Sequence, residues 1–109
     1  MTRSFQAGLL LLACLCSSAE AQDAAAGRDK AMACTPCHGP DGIAVAPNAP
    51  HIAGENAAYL TSQLKAFRSG ERQHEQMSII AADLTDEDIA DLARWFSMIE
   101  ITAKVPDLD

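Results

Sequence analysis

The sequence predicts an all-α domain, and three observations support it. Apolar residues recur at helical spacing in separate stretches, the stretches carry recognisable start or stop signals, and strand-like apolar/polar alternation persists nowhere. The first helix is expected from Ala24 to Ala33, AAAGRDKAMA, leading directly into Cys34. The second spans about Asn56 to Ser69. Leu60, Leu64 and Phe67 recur along it at helical spacing, Lys65 and Arg68 sit where the helix dipole favours cations, and Gly70 supplies a stop. The third opens on Thr85, with Asp88 three residues later as its capping partner. Ile89, Leu92, Ala93, Phe96 and Ile99 follow on one face, and the helix should end near Glu100, before Pro106. Residues 38–54, between the first two helices, hold three glycines and three prolines. A loop of that length in a small domain is expected to wrap something or carry function. Residues 70–84, with His74 and Met77, read as an irregular connection.

Residues 1–21 read as a secretory signal peptide that is cleaved. Arg3 precedes an apolar run from Ala7 to Cys16, and Ala19-Glu20-Ala21 is a small-x-small cleavage signal. The run is too short to span a bilayer. A periplasmic protein is therefore expected, with residues 22–109 as its one domain. An alternative is a lipid anchor on Cys14, since Leu11-Leu12-Ala13-Cys14 loosely resembles a lipoprotein signal. No comparable apolar run follows, so no transmembrane segment is expected. Removing residues 1–21 takes Cys14 and Cys16 with it and leaves Cys34 and Cys37 as the only cysteines. The net charge of −7 is unchanged, because Arg3 and Glu20 cancel. An acidic domain of this kind is a poor nucleic-acid binder and suits a basic partner surface. A domain this small buries a limited share of its surface and usually needs an internal prop. With no spare cysteines, that prop must involve Cys34 and Cys37.

These two cysteines lie in the heptapeptide CTPCHGP, residues 34–40, with His38 directly after the second. Half a zinc site, a redox dithiol and a haem anchor all begin this way. Structural zinc takes four ligands, but no second cysteine pair exists, and His51 and His74 are far from the usual ligand spacing. A thioredoxin-type dithiol needs a βαβ setting, and no strand is readable. The haem reading uses every residue of the motif. Two cysteines at this spacing can form thioethers to the two vinyl groups of one haem, and the following histidine is held beneath the iron as proximal ligand.

CTPCHGPDG, followed by PHIAG, YLTSQLKAFRSGER, a later Met and LTDEDIADLARWF, resembles the small bacterial class I cytochromes c. The resemblance runs from Gly27 to about Phe96 and is nearest to the c553-type proteins and the single halves of dihaem cytochromes c4. A complete c4 protein would need a second CxxCH, which is missing. The resemblance implies the cytochrome c fold, with N- and C-terminal helices crossing and haem c in a crevice between them, the middle helix and the loops. Gly27 would permit the close crossing, and Trp95 or Phe96 would pack there. It also implies that the Pro50 carbonyl accepts the second ring N–H of His38. Met77 falls where the family places its distal iron ligand. Met32 and Met98 read as core filler, while His74, three residues before Met77, is an alternative ligand that would lower the potential.

The expected function is electron transfer by one covalent haem, cycling Fe(III)/Fe(II) with His38 and Met77 as axial ligands. No catalytic constellation competes, so no enzyme is expected. Two rivals remain: a haem subunit docked permanently to a larger oxidoreductase, and a ligand-binding or peroxidatic haem protein with an open distal site. Redox proteins with a basic docking surface are the expected partners, and the protein itself is expected to be a monomer. The acidic run of Asp83, Asp86, Glu87, Asp88 and Asp91 reads first as a helix start complementing its own dipole, and second as a docking patch. Lys65, Arg68 and Arg72 could cover helix ends, meet the haem propionates or be solvated. Tyr59 and Trp95 are candidate propionate donors or core residues.

Overall fold

The computed structural model describes residues 17–109, with side chains from Ala24 onward. Most of the expected signal segment, including Cys14, lies outside the described residues. The described part is helical throughout its regular structure: α1 (Ser17–Lys30), a 3-10 turn (Ala31–Cys34), α2 (Thr35–His38), α3 (Ala57–Ser69), α4 (Met77–Ala82) and α5 (Asp86–Met98). Among the described residues there is no strand, and no helix is long and apolar enough to cross a membrane.

Two regions differ from the sequence reading. The first helix is already formed at Ser17, ahead of Ala24, and SSAEAQDAAA contains neither Gly nor Pro to interrupt it. It also tightens into a 3-10 turn at Ala31. Pro36 has no N–H to give to the Met32 carbonyl, and the Thr35 N–H binds that carbonyl instead. Residues 70–84 are not wholly irregular. They contain the six-residue helix α4, and Met77 is its first residue.

The caps fall where the side chains direct them. Asn56 accepts the Tyr59 N–H at the start of α3, and Gly70 closes that helix in the left-handed conformation at φ 83°. Thr85 and Asp88 form a complete capping box at the start of α5.

α1 and α5 cross in close contact. A Cβ on Gly27 would stand 2.8 Å from both the Asp91 carbonyl carbon and Trp95 Cβ, so only glycine fits. One turn on, Lys30 Nζ reaches across to Asp91 and, at 2.9 Å, to Asp88. Asp91 and then Asp88 hold the Lys30 ammonium charged well above the usual lysine range. Beneath the crossing lies the core of Ala31, Leu60, Leu92, Ala93 and Phe96, with Cys34, Ile52, Leu64, Leu84, Trp95 and Ile99 packed around it. Phe96 is buried and Trp95 half-buried beside Gly27. The core is mostly small side chains and is drawn toward the cysteine turn.

Candidate functional site

The 3-10 turn and α2 form one short coil that carries Cys34, Cys37 and His38. Both thiols are free and half-buried, and His38 is buried, with 7% of its surface exposed. Burial pushes the Cys34 thiol above its usual range, and the neighbouring Cys37 adds to the shift. A raised thiol is the opposite of an activated redox dithiol, which needs a stabilised thiolate.

His38 Nδ1 lies 2.9 Å from the Pro50 carbonyl oxygen. A carbonyl can only accept, so Nδ1 carries the proton and Nε2 is left as the basic nitrogen. The loop from Gly39 to Gly54 is folded to place that carbonyl. Gly39 and Gly42 take φ of 75° and 79°, which lets the chain turn sharply away from α2 and back. The Val45 and Ala46 N–H groups both donate to the Cys37 carbonyl, at 3.0 and 3.1 Å. The Ile52 and Ala53 N–H groups donate to the Gly42 carbonyl, and the Gly54 N–H ties the loop to Phe96 at the end of α5.

Met77 is half-buried at the start of α4, on a separate segment. That segment is held by side chains. Arg68 donates to the Leu84 carbonyl at 2.9 Å and pairs with Asp86 at 2.6 Å, clamping the segment's far end to α3. Its hydrogen bond, then its charge, keeps the Asp86 carboxyl below the usual range. Arg72 binds Gln63 and lies 4.6 Å above the Phe67 ring, and Phe67 meets His74 edge-on at 6.4 Å. His74 Nδ1 accepts the N–H groups of Gln76 and Met77, at 3.2 and 3.3 Å, and caps the turn into α4. This capping role is absent from the sequence reading. A histidine three residues before a helix start was its only signal.

Several apolar side chains stand outside the protein core. Ile43, Val45, Ile79 and Ile80 are 40%, 67%, 73% and 39% exposed, and Val45 adjoins Cys37 through its backbone bond. Two thiols on one coil, an imidazole fixed with Nε2 basic and apolar side chains left over fit a flat apolar group bonded through both sulfurs. A surface depression of about 580 Å³ lies at Gly70, Gln73, His74, Glu75 and Ser78, on the segment that carries Met77. Among the described residues, no cluster of three or more His, Cys, Asp or Glu side chains could hold a bare metal ion.

Comparison with known proteins gives one consistent result. The family model for cytochrome c matches residues 24–98. Cytochrome c-554(548) of Halomonas halodenitrificans is 47% identical over 83 residues, which are 73% of this chain and the whole of that protein. Cytochrome c4 of Pseudomonas aeruginosa is 39% identical over 87 residues, covering 80% of this chain and 43% of its own length. The crystal structure of reduced recombinant cytochrome c4 from Pseudomonas stutzeri superposes with a TM-score of 0.66 at 28% identity, over 73% of this chain and half of that one. The chain thus spans all of the first relative and under half of the second.

Proposed function

The chain belongs to the cytochrome c family, with one covalently bound haem c, and from that membership we propose a periplasmic single-haem electron carrier with His38 and Met77 as the iron's axial ligands. When bound, the haem supplies the Fe(III)/Fe(II) couple. Cys34 and Cys37 hold it as thioethers from one coil, which fixes its position relative to His38. The single observation that carries the reading is the 2.9 Å bond from His38 Nδ1 to Pro50. It fixes the tautomer and leaves Nε2 as the basic nitrogen for the iron. His74 Nδ1 caps the turn into α4, which supports Met77 over His74 as the second ligand. With haem bound, His38 and Met77 would both be ligands to the iron, which would leave no position for a substrate.

Electrons enter and leave through contact with redox proteins. The net charge of −7 favours a basic docking surface on the partner. Export to the periplasm follows from the leader-like residues 1–21. The protein acts as a monomer and is not an enzyme.

Absorption spectra of the purified holoprotein test the reading. The oxidised protein should show a methionine-to-iron charge-transfer band that disappears in Met77→Ala. Rapid carbon monoxide binding to the unmodified reduced protein would overturn it in favour of an open distal site. Co-purification with a larger oxidoreductase would replace the mobile carrier with a fixed subunit.

A further inference from the structure

Met77 sits in a turn that one residue closes almost alone. His74 Nδ1 accepts the N–H groups of Gln76 and Met77, at 3.2 and 3.3 Å. The His74 N–H donates to Ser78 Oγ at 3.0 Å, and the Ser78 N–H donates back to the His74 carbonyl at the same distance. Gln76, the residue before the helix, contributes no side-chain cap. The imidazole is in turn set against the core: it meets buried Phe67 edge-on at 6.4 Å, and Arg72 lies 4.6 Å above the same ring. We propose that His74 is the positioning residue for the distal ligand. It holds the Met77 backbone where the thioether can reach the iron, and by the same bonds it withholds its own imidazole from the metal.

The proposal rests on the reading of Met77 as the distal ligand. A methionine side chain is long and unbranched, so its sulfur is only as well placed as the backbone that carries it. The backbone-to-backbone bonds of residues 73–84 stay within that segment, so side chains set its position against α3. Arg68 acts at the far end, on the Leu84 carbonyl, and His74 acts on Met77 itself. Accepting two N–H groups requires an unprotonated Nδ1 and places the ring proton on Nε2. A protonated ring nitrogen has no lone pair for iron, and the other lone pair is engaged in the turn. The histidine that could compete with Met77 from this segment is thereby the residue that fixes it.

The test compares the oxidised holoprotein of the wild type, His74→Asn and His74→Leu. The readouts are the methionine charge-transfer band, the rate at which added imidazole replaces Met77, and global unfolding by circular dichroism. Imidazole binds only after the thioether leaves, so its rate reports how often Met77 is released. Leucine keeps an apolar contact with Phe67 and removes the acceptor. It should raise the imidazole rate about fivefold, the equivalent of one ordinary hydrogen bond. It should also lower the temperature at which the band disappears and leave global unfolding at the wild-type temperature. Asparagine carries Oδ1 near the place of Nδ1 and should return the rate to within about twofold of the wild type. A leucine variant with the wild-type rate, or an asparagine variant no better than leucine, would overturn the proposal. So would a faster rate matched by an equal loss of global stability, since His74 would then be an ordinary structural residue. The second half is read in Met77→Ala, where a withheld His74 should leave the iron high-spin and open to imidazole. A low-spin spectrum there that disappears when His74→Asn is added would show His74 on the iron, against the proposal. Failure of the underlying reading is distinct: the unmodified oxidised protein would lack the methionine band from the start.

Discussion

The coil that carries Cys34, Cys37 and His38 is held mainly through backbone atoms, whereas the segment that carries Met77 is held through side chains. On the first side the Cys37, Gly42, Pro50 and Phe96 carbonyls all serve as acceptors. On the second, Arg68, Arg72, Phe67 and His74 supply the ties. Backbone bonds survive most substitutions, while a side-chain tie can be removed by one. On the proposed ligation, His38 and Met77 should therefore differ in robustness, with Met77 leaving the iron under conditions that leave His38 in place.

The largest effect should come from removing what both sides share. The core is a cluster of small side chains, and residues such as Val45 and Ile79 have no place in it. Cys34→Ser combined with Cys37→Ser is expected to yield a chain without covalent haem that has lost its cooperative thermal transition, read by circular dichroism and haem staining. A variant that melts cooperatively without haem would show that the polypeptide core suffices. Next in size is Gly27→Ala at the α1–α5 crossing. The added Cβ meets the backbone of Asp91 and Cβ of Trp95, neither of which can swing away. A loss of about 3 kcal/mol is expected from chemical denaturation of the holoprotein, within the range for overpacking a tight contact.

The same contrast explains what the sequence made legible. CxxCH, the Thr85 cap and the Gly70 stop are local signals, each complete within a few residues, and all appear in the structure. Helix α4 was not legible. MSIIAA is too short for a 3.6-residue period to show, and its start depends on the His74 side chain turning back on Gln76 and Met77. The 3-10 turn at Ala31–Cys34 follows from Pro36, a local cause that the helical pattern of AAAGRDKAMA concealed. The Pro50 acceptor was reached through family resemblance, because no pattern in PHIAG says which atom its carbonyl will meet. The role of His51 was not legible either, since its partner Ala44 comes near only once the loop has closed.

A smaller and more selective effect is expected from Arg68→Ala. It removes the donor to the Leu84 carbonyl and the partner of Asp86, at a cost of about 1–2 kcal/mol. The useful reading is where the loss appears. The methionine charge-transfer band should vanish several degrees below global unfolding, while in the wild type the two transitions stay closer. Simultaneous loss of band and fold in the variant would mean that the Met77 segment is not the separable side.

The smallest effect separates the two sides by pH. Asp88 and Asp86 both lie in the first turn of α5, but Asp88 binds Thr85 and Lys30 and so ties α5 to α1, whereas Asp86 binds Arg68 and ties it to α3. The Thr85 backbone N–H, then Lys30, pull the Asp88 carboxyl down to about 2. Because the folded-state value is depressed, the stability from Asp88 is complete above the unfolded carboxylate value of about 3.9 and is lost as pH falls through about 2. Asp88→Asn should therefore melt below the wild type at neutral pH, with the gap closing between about pH 4 and pH 2. Asp86→Asn should leave the global melting temperature nearly unchanged and lower the temperature at which the Met77 band disappears. If both variants shift global melting alike, α1 and α3 are equally coupled to α5, and the distinction between a backbone-held and a side-chain-held side fails at its base.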